Sequence, residues 1–121
     1  MKTTRVLLVD DDPATCEMFR QALRLSGFRV CTAVDGLSAL ARVEAERPDV
    51  IVLDLDLPHI NGLDVQEELR ARADTCAVPV IIVTGTNWQP RIQPFALLRK
   101  PVSTDRLIAA LGRAVVETLP S

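Results

Sequence analysis

Continuous apolar runs alternate along the chain with stretches in which apolar residues recur every three or four positions. Three of the runs, at residues 6–9, 50–53 and 80–83, are rich in β-branched side chains. Such runs are typical of strands that are buried on both faces of a parallel sheet. Shorter and more weakly patterned runs at residues 30–34 and 96–98 would complete a sheet of five strands.

The stretches between these runs have helical spacing. The first predicted helix begins at Pro13, after Asp12 as its N-cap, and is closed by Gly27. Three more helices are predicted at residues 37–46, 63–73 and 103–119. Ser103 or Thr104 would cap the last of them. Alternating strands and helices imply a parallel sheet covered by helices on both faces, because such crossovers are right-handed.

Conspicuous polar residues follow the predicted strands. Residues 10–12 after the first strand are all aspartates, and the third strand leads into Asp54 and Asp56. The fourth leads into Thr84, and Lys100 follows the fifth. In a parallel sheet the carboxyl ends of the strands lie at one edge, where functional residues collect. We therefore expect these side chains to share one site.

Carboxylates gathered at such an edge repel each other unless a cation neutralises them. The candidate ligands are oxygen atoms alone, which suits Mg²⁺, or Mn²⁺ in its place, better than zinc. Each residue also has a plain interpretation, as a helix cap, a turn aspartate, a turn hydroxyl or a surface lysine. One cap needs one side chain, so this interpretation explains Asp12 and leaves Asp10 and Asp11 unexplained.

The length of 121 residues indicates a single domain over residues 1–121, with 117–121 as a terminal tail. Apolar residues make up 48% of the chain and charged residues 25%, which argues against a disordered or membrane-spanning protein. The first apolar run is too short for a signal peptide, so we expect a cytoplasmic protein. A net charge of −2 without a basic cluster argues against direct binding of nucleic acid.

The three cysteines are Cys16, Cys31 and Cys76. They form no CxxC pair and have no histidine cluster near them, so a zinc site is not indicated. We expect reduced thiols that are mostly buried.

Four stretches together carry a specific resemblance. They are VLLVDDDP at residues 6–13, PDVIVLDLDLPHING at 48–62, VIIVTGT at 80–86 and KP at 100–101. With this combination the chain resembles the receiver domains of two-component response regulators, from residue 5 to about residue 119. The resemblance implies a flavodoxin-like α/β fold, a doubly wound five-stranded parallel sheet in the order 2-1-3-4-5.

The resemblance also implies the metal and phosphoacceptor residues. Asp54 matches the phosphoacceptor, which also contacts the metal. Asp11 matches a direct ligand of Mg²⁺, and Asp10 matches an acid that acts on the metal largely through water. The backbone carbonyl of Asp56 would be a further ligand.

The same resemblance assigns the switch residues. Thr84 matches the hydroxyl that moves to bond the phosphoryl group, and Lys100 matches the ammonium that pairs with it, through a Lys100–Pro101 peptide that is cis in the family. The added charge at Asp54 would draw both side chains and bias a bistable loop. Such a domain is a signalling phosphoacceptor and no turnover enzyme. A histidine kinase or phosphotransfer protein would supply the phosphoryl group, and the output partner is unknown.

One segment departs from the family pattern. Thr84 and Lys100 are 16 residues apart, whereas receivers usually have several more residues there, including a full fourth helix. Pro90 and Pro94 lie in this segment, and proline inside a helix costs ~3 kcal/mol. We therefore expect the fourth helix to be shortened or missing.

The aromatic switch residue of the family is also replaced. Three positions before the lysine this chain has Leu97, and Phe95 is the candidate substitute. Trp88, the sole tryptophan, would either anchor a partner or pack over the sheet edge. The output surface of the family therefore cannot be transferred to this chain.

The loop after the third strand contains Gly62 and the only histidine, His59. Gly62 is expected to serve a turn with positive φ before the third helix. His59 is assigned no catalytic role, because carboxylates already account for the metal and the acceptor.

Three alternatives stay open. A phosphorylation-independent interaction module would keep the fold and dispense with the chemistry. The pair Asp54 and Asp56 is also similar to the nucleophile and acid of haloacid-dehalogenase phosphatases, although Pro58 stands where that motif has threonine. A dinucleotide-binding role is disfavoured, because the first loop has aspartates in place of the glycines that cradle phosphate.

Overall fold

The computed structural model describes residues 3–57, 61–87 and 92–118, and within these ranges the chain forms five strands and four helices. The strands are β1 (Arg5–Val9), β2 (Arg29–Ala33), β3 (Val50–Asp54), β4 (Val80–Thr84) and β5 (Ala96–Arg99). The helices are α1 (Pro13–Leu25), α2 (Gly36–Glu46), α3 (Gly62–Ala71) and α4 (Thr104–Thr118). None of the described helices has the length and apolarity of a membrane span.

All four strand pairings are parallel, and the order across the sheet is β2-β1-β3-β4-β5. The predicted flavodoxin-like sheet is therefore confirmed, and every strand lies within one residue of its predicted bounds. In the register of the sheet, the last residue of β1 lies beside Leu53, and Asp54 lies beside Val83. The carboxyl ends of the three central strands are therefore level at one edge.

Both faces of the sheet are buried, because alternate strand residues point to opposite faces. One face packs against α1 and α4 through Val6, Leu8, Val52 and Ile81. The other face packs against α2 and α3 through Leu7, Ile51, Leu53 and Ile82. This double burial explains the continuous apolar runs and leaves the strand ends as the places where polar side chains can gather.

The helix ends follow the predicted signals. The side chain of Asp12 accepts a hydrogen bond from the backbone N–H of Ala14 at 3.3 Å and caps α1. Gly27 follows α1 with a φ of 96°, a left-handed conformation that suits glycine. For α4, the hydroxyl of Ser103 accepts from the N–H of Arg106 at 3.2 Å, so Ser103 is the cap.

The connection between β4 and β5 contains no helix in its described parts, residues 85–87 and 92–95. This agrees with the prediction of a shortened or missing fourth helix at that point of the family fold. Trp88 and Pro90 lie outside the described residues, as does His59 in the loop after β3.

The positive φ predicted at Gly62 is wrong. Gly62 is the first residue of α3, after Asn61 as N-cap, and Gly27 is the glycine with positive φ in the described ranges. A β-carbon at Gly62 would lie 2.6 Å from the Cα of Leu55 and 2.7 Å from the carbonyl oxygen of Asp54. Glycine is needed because the start of α3 touches the backbone at the end of β3.

Replacing Gly62 with alanine should destabilise the protein by about 1–3 kcal/mol, because backbone atoms cannot rotate out of the clash. Gly112→Ala is the matched control. Gly112 lies exposed in α4 with no atom within 4 Å of its β-carbon position, and alanine there should add up to about 1 kcal/mol of helix stability. Urea unfolding measures both changes, and equal stability of the two variants would contradict the close approach.

The cysteines differ in burial. Cys16 is buried, Cys31 is half-buried and Cys76 is exposed, and all three are free thiols. Burial raises the pKa of the thiols of Cys16 and Cys31. The expectation of mostly buried thiols is therefore wrong for Cys76, which lies where the chain turns at the surface between α3 and β4.

Candidate functional site

Three aspartates meet where β1 and β3 end. Asp10 and Asp11 follow β1, and Asp54 is the last residue of β3. Each can offer one carboxylate oxygen such that all three oxygens lie within 4.8 Å of one another. The level register of β1 and β3 produces this arrangement, although the sequence separates the residues widely.

Two of the three carboxylates are buried and held by the backbone. Asp10 is 6% exposed and Asp54 is 2% exposed, whereas Asp11 is exposed. The N–H of Asp12 donates to Oδ1 of Asp10 at 2.9 Å, and the N–H of Asp56 donates to Oδ1 of Asp54 at 2.8 Å. Each buried carboxylate is thus fixed by the backbone two residues further on.

The environment of Asp10 disfavours its charged form. Burial raises the pKa of the Asp10 carboxyl above its ordinary value. The hydrogen bond from Asp12 opposes this rise, and the negative charge of Asp54 adds to it. The site therefore contains negative charge that the protein itself does not fully compensate.

Lys100 supplies a positive charge to the site. Its Nζ donates to Oδ2 of Asp54 at 2.9 Å, and its backbone N–H donates to the carbonyl oxygen of Thr84 at 2.8 Å. The Lys100–Pro101 peptide bond is cis, as the resemblance implies. Burial lowers the pKa of Lys100, but the hydrogen bond and the charge of Asp54 outweigh it, so the pKa is raised.

A hard divalent cation fits this set of donors. The cluster consists of carboxylates alone, which are the protein ligands that Mg²⁺ prefers, and it leaves coordination positions for water. A cation beside Asp10 would also offset the effects of burial and of the Asp54 charge, which together raise the pKa of the Asp10 carboxyl. Asp10, Asp11 and Asp54 are the residues that could hold it. The backbone carbonyl of Asp56 as a further ligand stays a prediction.

Thr84 lies at the end of β4 and is fully buried. Its hydroxyl accepts from the N–H of Thr86 at 3.1 Å and lies 3.1 Å from the Thr86 hydroxyl. No described contact joins the Thr84 hydroxyl to Asp54 or Lys100. The structure thus places Thr84 directly after Val83, the neighbour of Asp54 in the sheet, with its hydroxyl engaged in its own loop.

Three contacts in this region were missed by the sequence analysis. Thr86 holds the Thr84 hydroxyl, and Nη1 of Arg99 donates to the carbonyl oxygen of Thr86. The side chain of Asp56 accepts from the N–H of Gly85 at 3.4 Å. Two signals were present in the sequence, because Arg99 directly precedes Lys100 and Thr86 repeats the hydroxyl two positions after Thr84.

The two candidates for the aromatic switch position pack against different faces of the sheet. Leu97 lies half-buried on β5 and packs against the core cluster of α2 and α3. Phe95 precedes β5 and packs against the cluster of α1 and α4. They contact different layers of the core, and a switching role for either stays a prediction.

Comparison with known proteins identifies relatives of the chain. The family model of the response regulator receiver domain matches residues 6–112. The probable transcriptional regulatory protein TcrX of Mycobacterium tuberculosis is 40% identical over 126 residues, which cover 96% of this chain and 53% of the relative. The response regulator MprA of Mycobacterium bovis is 39% identical over 124 residues, which cover 98% of this chain and 53% of the relative. The chain spans about half the length of these curated relatives.

Solved structures share the fold over their full length. The chemotaxis response regulator CheY4 of Vibrio cholerae is 28% identical with a TM-score of 0.85, over 93% of this chain and 99% of that one. The receiver domain of the sensor histidine kinase PA1611 from Pseudomonas aeruginosa is 29% identical with a TM-score of 0.87, over 95% and 99%. That structure has a magnesium ion coordinated in its active site cleft. From its matching family model, sheet order and acidic edge, the chain belongs to the response regulator receiver domains of two-component systems.

Proposed function

We propose that this receiver domain accepts a phosphoryl group on Asp54 from a histidine kinase or a phosphotransfer protein, with Mg²⁺ as cofactor. The observation that carries the proposal is the setting of Asp54, buried beside Asp10 and Asp11 and bonded to Lys100. A purely structural aspartate gains nothing from two further acids next to it, because like charges raise its energy. A site that must bind a cation and a phosphoryl group needs all four residues.

The contacts of Asp54 suit nucleophilic attack on phosphorus. In the transfer, a carboxylate oxygen of Asp54 forms a bond to phosphorus while the bond from phosphorus to the donor breaks, and the leaving group departs with the electron pair. The N–H of Asp56 and the ammonium of Lys100 fix the carboxylate in one orientation. Lys100 also offsets the charge of the incoming group, and Mg²⁺ held by Asp10, Asp11 and Asp54 would supply further positive charge.

The same contacts support a role as a switch. Phosphorylation would replace the single negative charge of the Asp54 carboxylate by an acyl phosphate with about two negative charges and three phosphoryl oxygens. These oxygens compete with Thr86 for the Thr84 hydroxyl and with Asp54 for Lys100. Arg99 ties the carbonyl of Thr86 to the end of β5, so a movement of the Thr84 loop is transmitted to the edge strand of the sheet. We expect the loop and β5 to respond together.

We also propose the kind of partners. TcrX and MprA are named as a regulatory protein and a response regulator, and both are about twice as long as this chain. By analogy, this domain would receive its phosphoryl group from a kinase and report it to an attached domain or a separate protein. It would assist its own phosphorylation and dephosphorylation without steady turnover of a substrate.

Incubation with Mg²⁺ and acetyl phosphate should add one phosphoryl group to the protein, because a small donor needs only the site itself. Intact-mass spectrometry measures the addition, which should disappear in Asp54→Asn and when EDTA replaces Mg²⁺. Asp74→Asn is the matched control, since Asp74 is an exposed aspartate in the connection between α3 and β4, at the edge of the sheet opposite to Asp54. Modification that persists in Asp54→Asn would contradict the assignment of the acceptor.

A second candidate function is a phosphorylation-independent interaction module. The observation that favours it is the connection after β4, which lacks a helix in its described parts. Amide NMR spectra distinguish the two functions. If phosphorylated Asp54 leaves the signals of Thr84, Thr86 and Arg99 unchanged, the domain carries no switch and the second function applies.

A further inference from the structure

A second recess lies away from the acidic site, between α3, the connection from α3 to β4, and the segment before β5. We call it the α3 cleft. Its volume is about 330 Å³. Its apolar wall includes Leu69, Val78, Val80, Ile92, Pro94 and Phe95. Its polar groups include Gln66 and Arg70, both on α3. Arg70 is in the last turn of that helix, about 12 Å along the axis from Gly62, so the cleft opens at the end of α3 distant from Asp54.

Gln66 is the unusual residue of the α3 cleft. Its side chain is 3% exposed, and its Nε2 donates to the carbonyl oxygen of Ile92 at 2.9 Å. Its Oε1 is buried and has no hydrogen-bond partner within the described part of the chain. A buried amide oxygen without a donor is costly to the folded protein. An N–H from a bound ligand would remove that cost.

Arg70 provides the second polar feature. It is exposed at the rim of the α3 cleft and makes no ion pair with any described residue. Other arginines on α1 and after α3 are held by acids, as Arg20 is by Glu17 and Arg72 is by Glu44. A guanidinium that is not engaged by a neighbouring acid, beside an apolar recess, can bind a carboxylate in a bidentate manner.

We propose that the α3 cleft binds the C-terminus of a peptide that ends in an apolar residue of about the size of leucine. One such residue carries an apolar side chain for the wall, an N–H for Oε1 of Gln66 and a carboxylate for Arg70. The volume lies at the lower end of the range for ligand pockets, about 300–1,000 Å³, which suits one or two residues of a peptide. The proposal does not rest on phosphorylation of Asp54.

The first test is a titration of the metal-free full chain with N-acetyl-L-leucinate, followed by amide NMR. Saturable shifts are expected at the side-chain amide of Gln66, at Arg70 and at residues 92–95, with a dissociation constant of about 1 mM for so small a ligand. Three analogues each remove one feature. N-acetyl-leucinamide lacks the carboxylate, N-acetylglycinate lacks the side chain, and 2-acetoxy-4-methylpentanoate lacks the N–H. Each should bind about fivefold more weakly or worse. Equal binding of all four compounds, or no saturable shift, overturns the proposal.

Two variants locate the site. Arg70→Gln should weaken binding of N-acetyl-L-leucinate about tenfold, because a charge-assisted hydrogen bond is lost. Arg24→Gln is the matched control, since Arg24 is likewise an exposed arginine in the last turn of a helix, α1. Its affinity should equal that of the wild type. Equal weakening by both variants would show a general effect of charge and overturn the assignment.

A third binding experiment tests whether the ligand of the cleft is a peptide or a free small molecule. The pentapeptide Gly-Ser-Gly-Gly-Leu should bind at least as tightly as N-acetyl-L-leucinate, and its C-terminal amide should bind about tenfold more weakly. Binding of N-acetyl-L-leucinate without binding of the pentapeptide would show a small-molecule site and overturn the peptide. Shifts at the cleft that depend on protein concentration alone would show that a second copy of the chain occupies it. This result would also overturn the proposal of a peptide ligand. Asp54→Asn should bind like the wild type, so this test is independent of the phosphoacceptor.

Discussion

Replacing Asp10 with asparagine should make the metal-free protein more stable and at the same time weaken its binding of Mg²⁺. The asparagine side chain keeps an oxygen that can accept from the N–H of Asp12, so the turn is preserved. The substitution removes a buried charge that faces Asp54, and we expect a gain in the free energy of unfolding on the order of 1 kcal/mol. Loss of the carboxylate should weaken Mg²⁺ binding about tenfold or more.

The stability difference between the wild type and Asp10→Asn should depend on pH in a direction that can be measured. The pKa of Asp10 is raised in the folded protein above its ordinary value of 3.8. The folded state therefore holds its proton to higher pH than the unfolded chain does. The wild type should lose stability relative to Asp10→Asn as the pH rises through 3.8 and on through the folded-state pKa, and the difference should then stay constant. Urea unfolding in EDTA from about pH 3.5 to about pH 7.5 measures it.

Asp11→Asn is the companion variant. Asp11 is exposed, so its replacement should change the stability little and still weaken Mg²⁺ binding, which calorimetric titration measures. An Asp10→Asn protein that is less stable than the wild type at neutral pH in EDTA would show that Asp10 is a structural acid. Unchanged Mg²⁺ affinity in both variants would show that other residues bind the metal.

The strands and their common edge could be predicted from the sequence because burial on both faces leaves a simple pattern. Each central strand had to be a continuous apolar run, and each run ends at the first polar residue. That rule predicts from the sequence alone that Asp10, Asp54 and Thr84 lie at one edge of the sheet. The strand order, by contrast, was supplied by the resemblance to a family, since apolar runs carry no information on which strands are neighbours.

The rest depends on distances that no local pattern encodes. Gly62 is required by the approach of α3 to β3, which a positive-φ interpretation of the glycine could not anticipate. The sequence pattern assigned Arg99 no role, whereas the pairing of β4 with β5 places it opposite Thr84. Gln66 is polar and sits among apolar helix positions, yet its contact with Ile92 spans 26 residues. Each of these residues was missed because the contact that explains it is made with a residue in another strand, helix or loop.

Lys100→Met should produce the reverse of the Asp10 pattern, with lower stability of the metal-free protein and tighter binding of Mg²⁺. The ammonium bonds Oδ2 of Asp54, whose side chain is 2% exposed, so its loss leaves a buried carboxylate without its cation. Breaking a fully buried pair costs about 3–5 kcal/mol, and we expect about 2 kcal/mol here because the Lys100 side chain is 38% exposed. Mg²⁺ no longer competes with an ammonium for Asp54, and its affinity should rise about fivefold or more.

The measurements are urea unfolding and calorimetric titration with Mg²⁺, with Lys100→Arg as the control that keeps the charge. Because the pKa of Lys100 is raised above its ordinary 10.5, the stability gap between wild type and Lys100→Met should stay constant from about pH 7 to about pH 10. Saturating Mg²⁺ should narrow that gap, since the ion binds the variant more tightly.

Phosphorylation of the Lys100→Met protein then separates two roles of the lysine. If Lys100 served only to neutralise Asp54, tighter binding of Mg²⁺ would compensate for its loss, and acetyl phosphate would modify the variant at least as fast as the wild type. If Lys100 also contacts the transferred phosphoryl group, the variant should react about tenfold more slowly despite its higher Mg²⁺ affinity. We expect the slower reaction, because the ammonium that bonds Oδ2 of Asp54 would lie next to a phosphoryl group attached to that carboxylate.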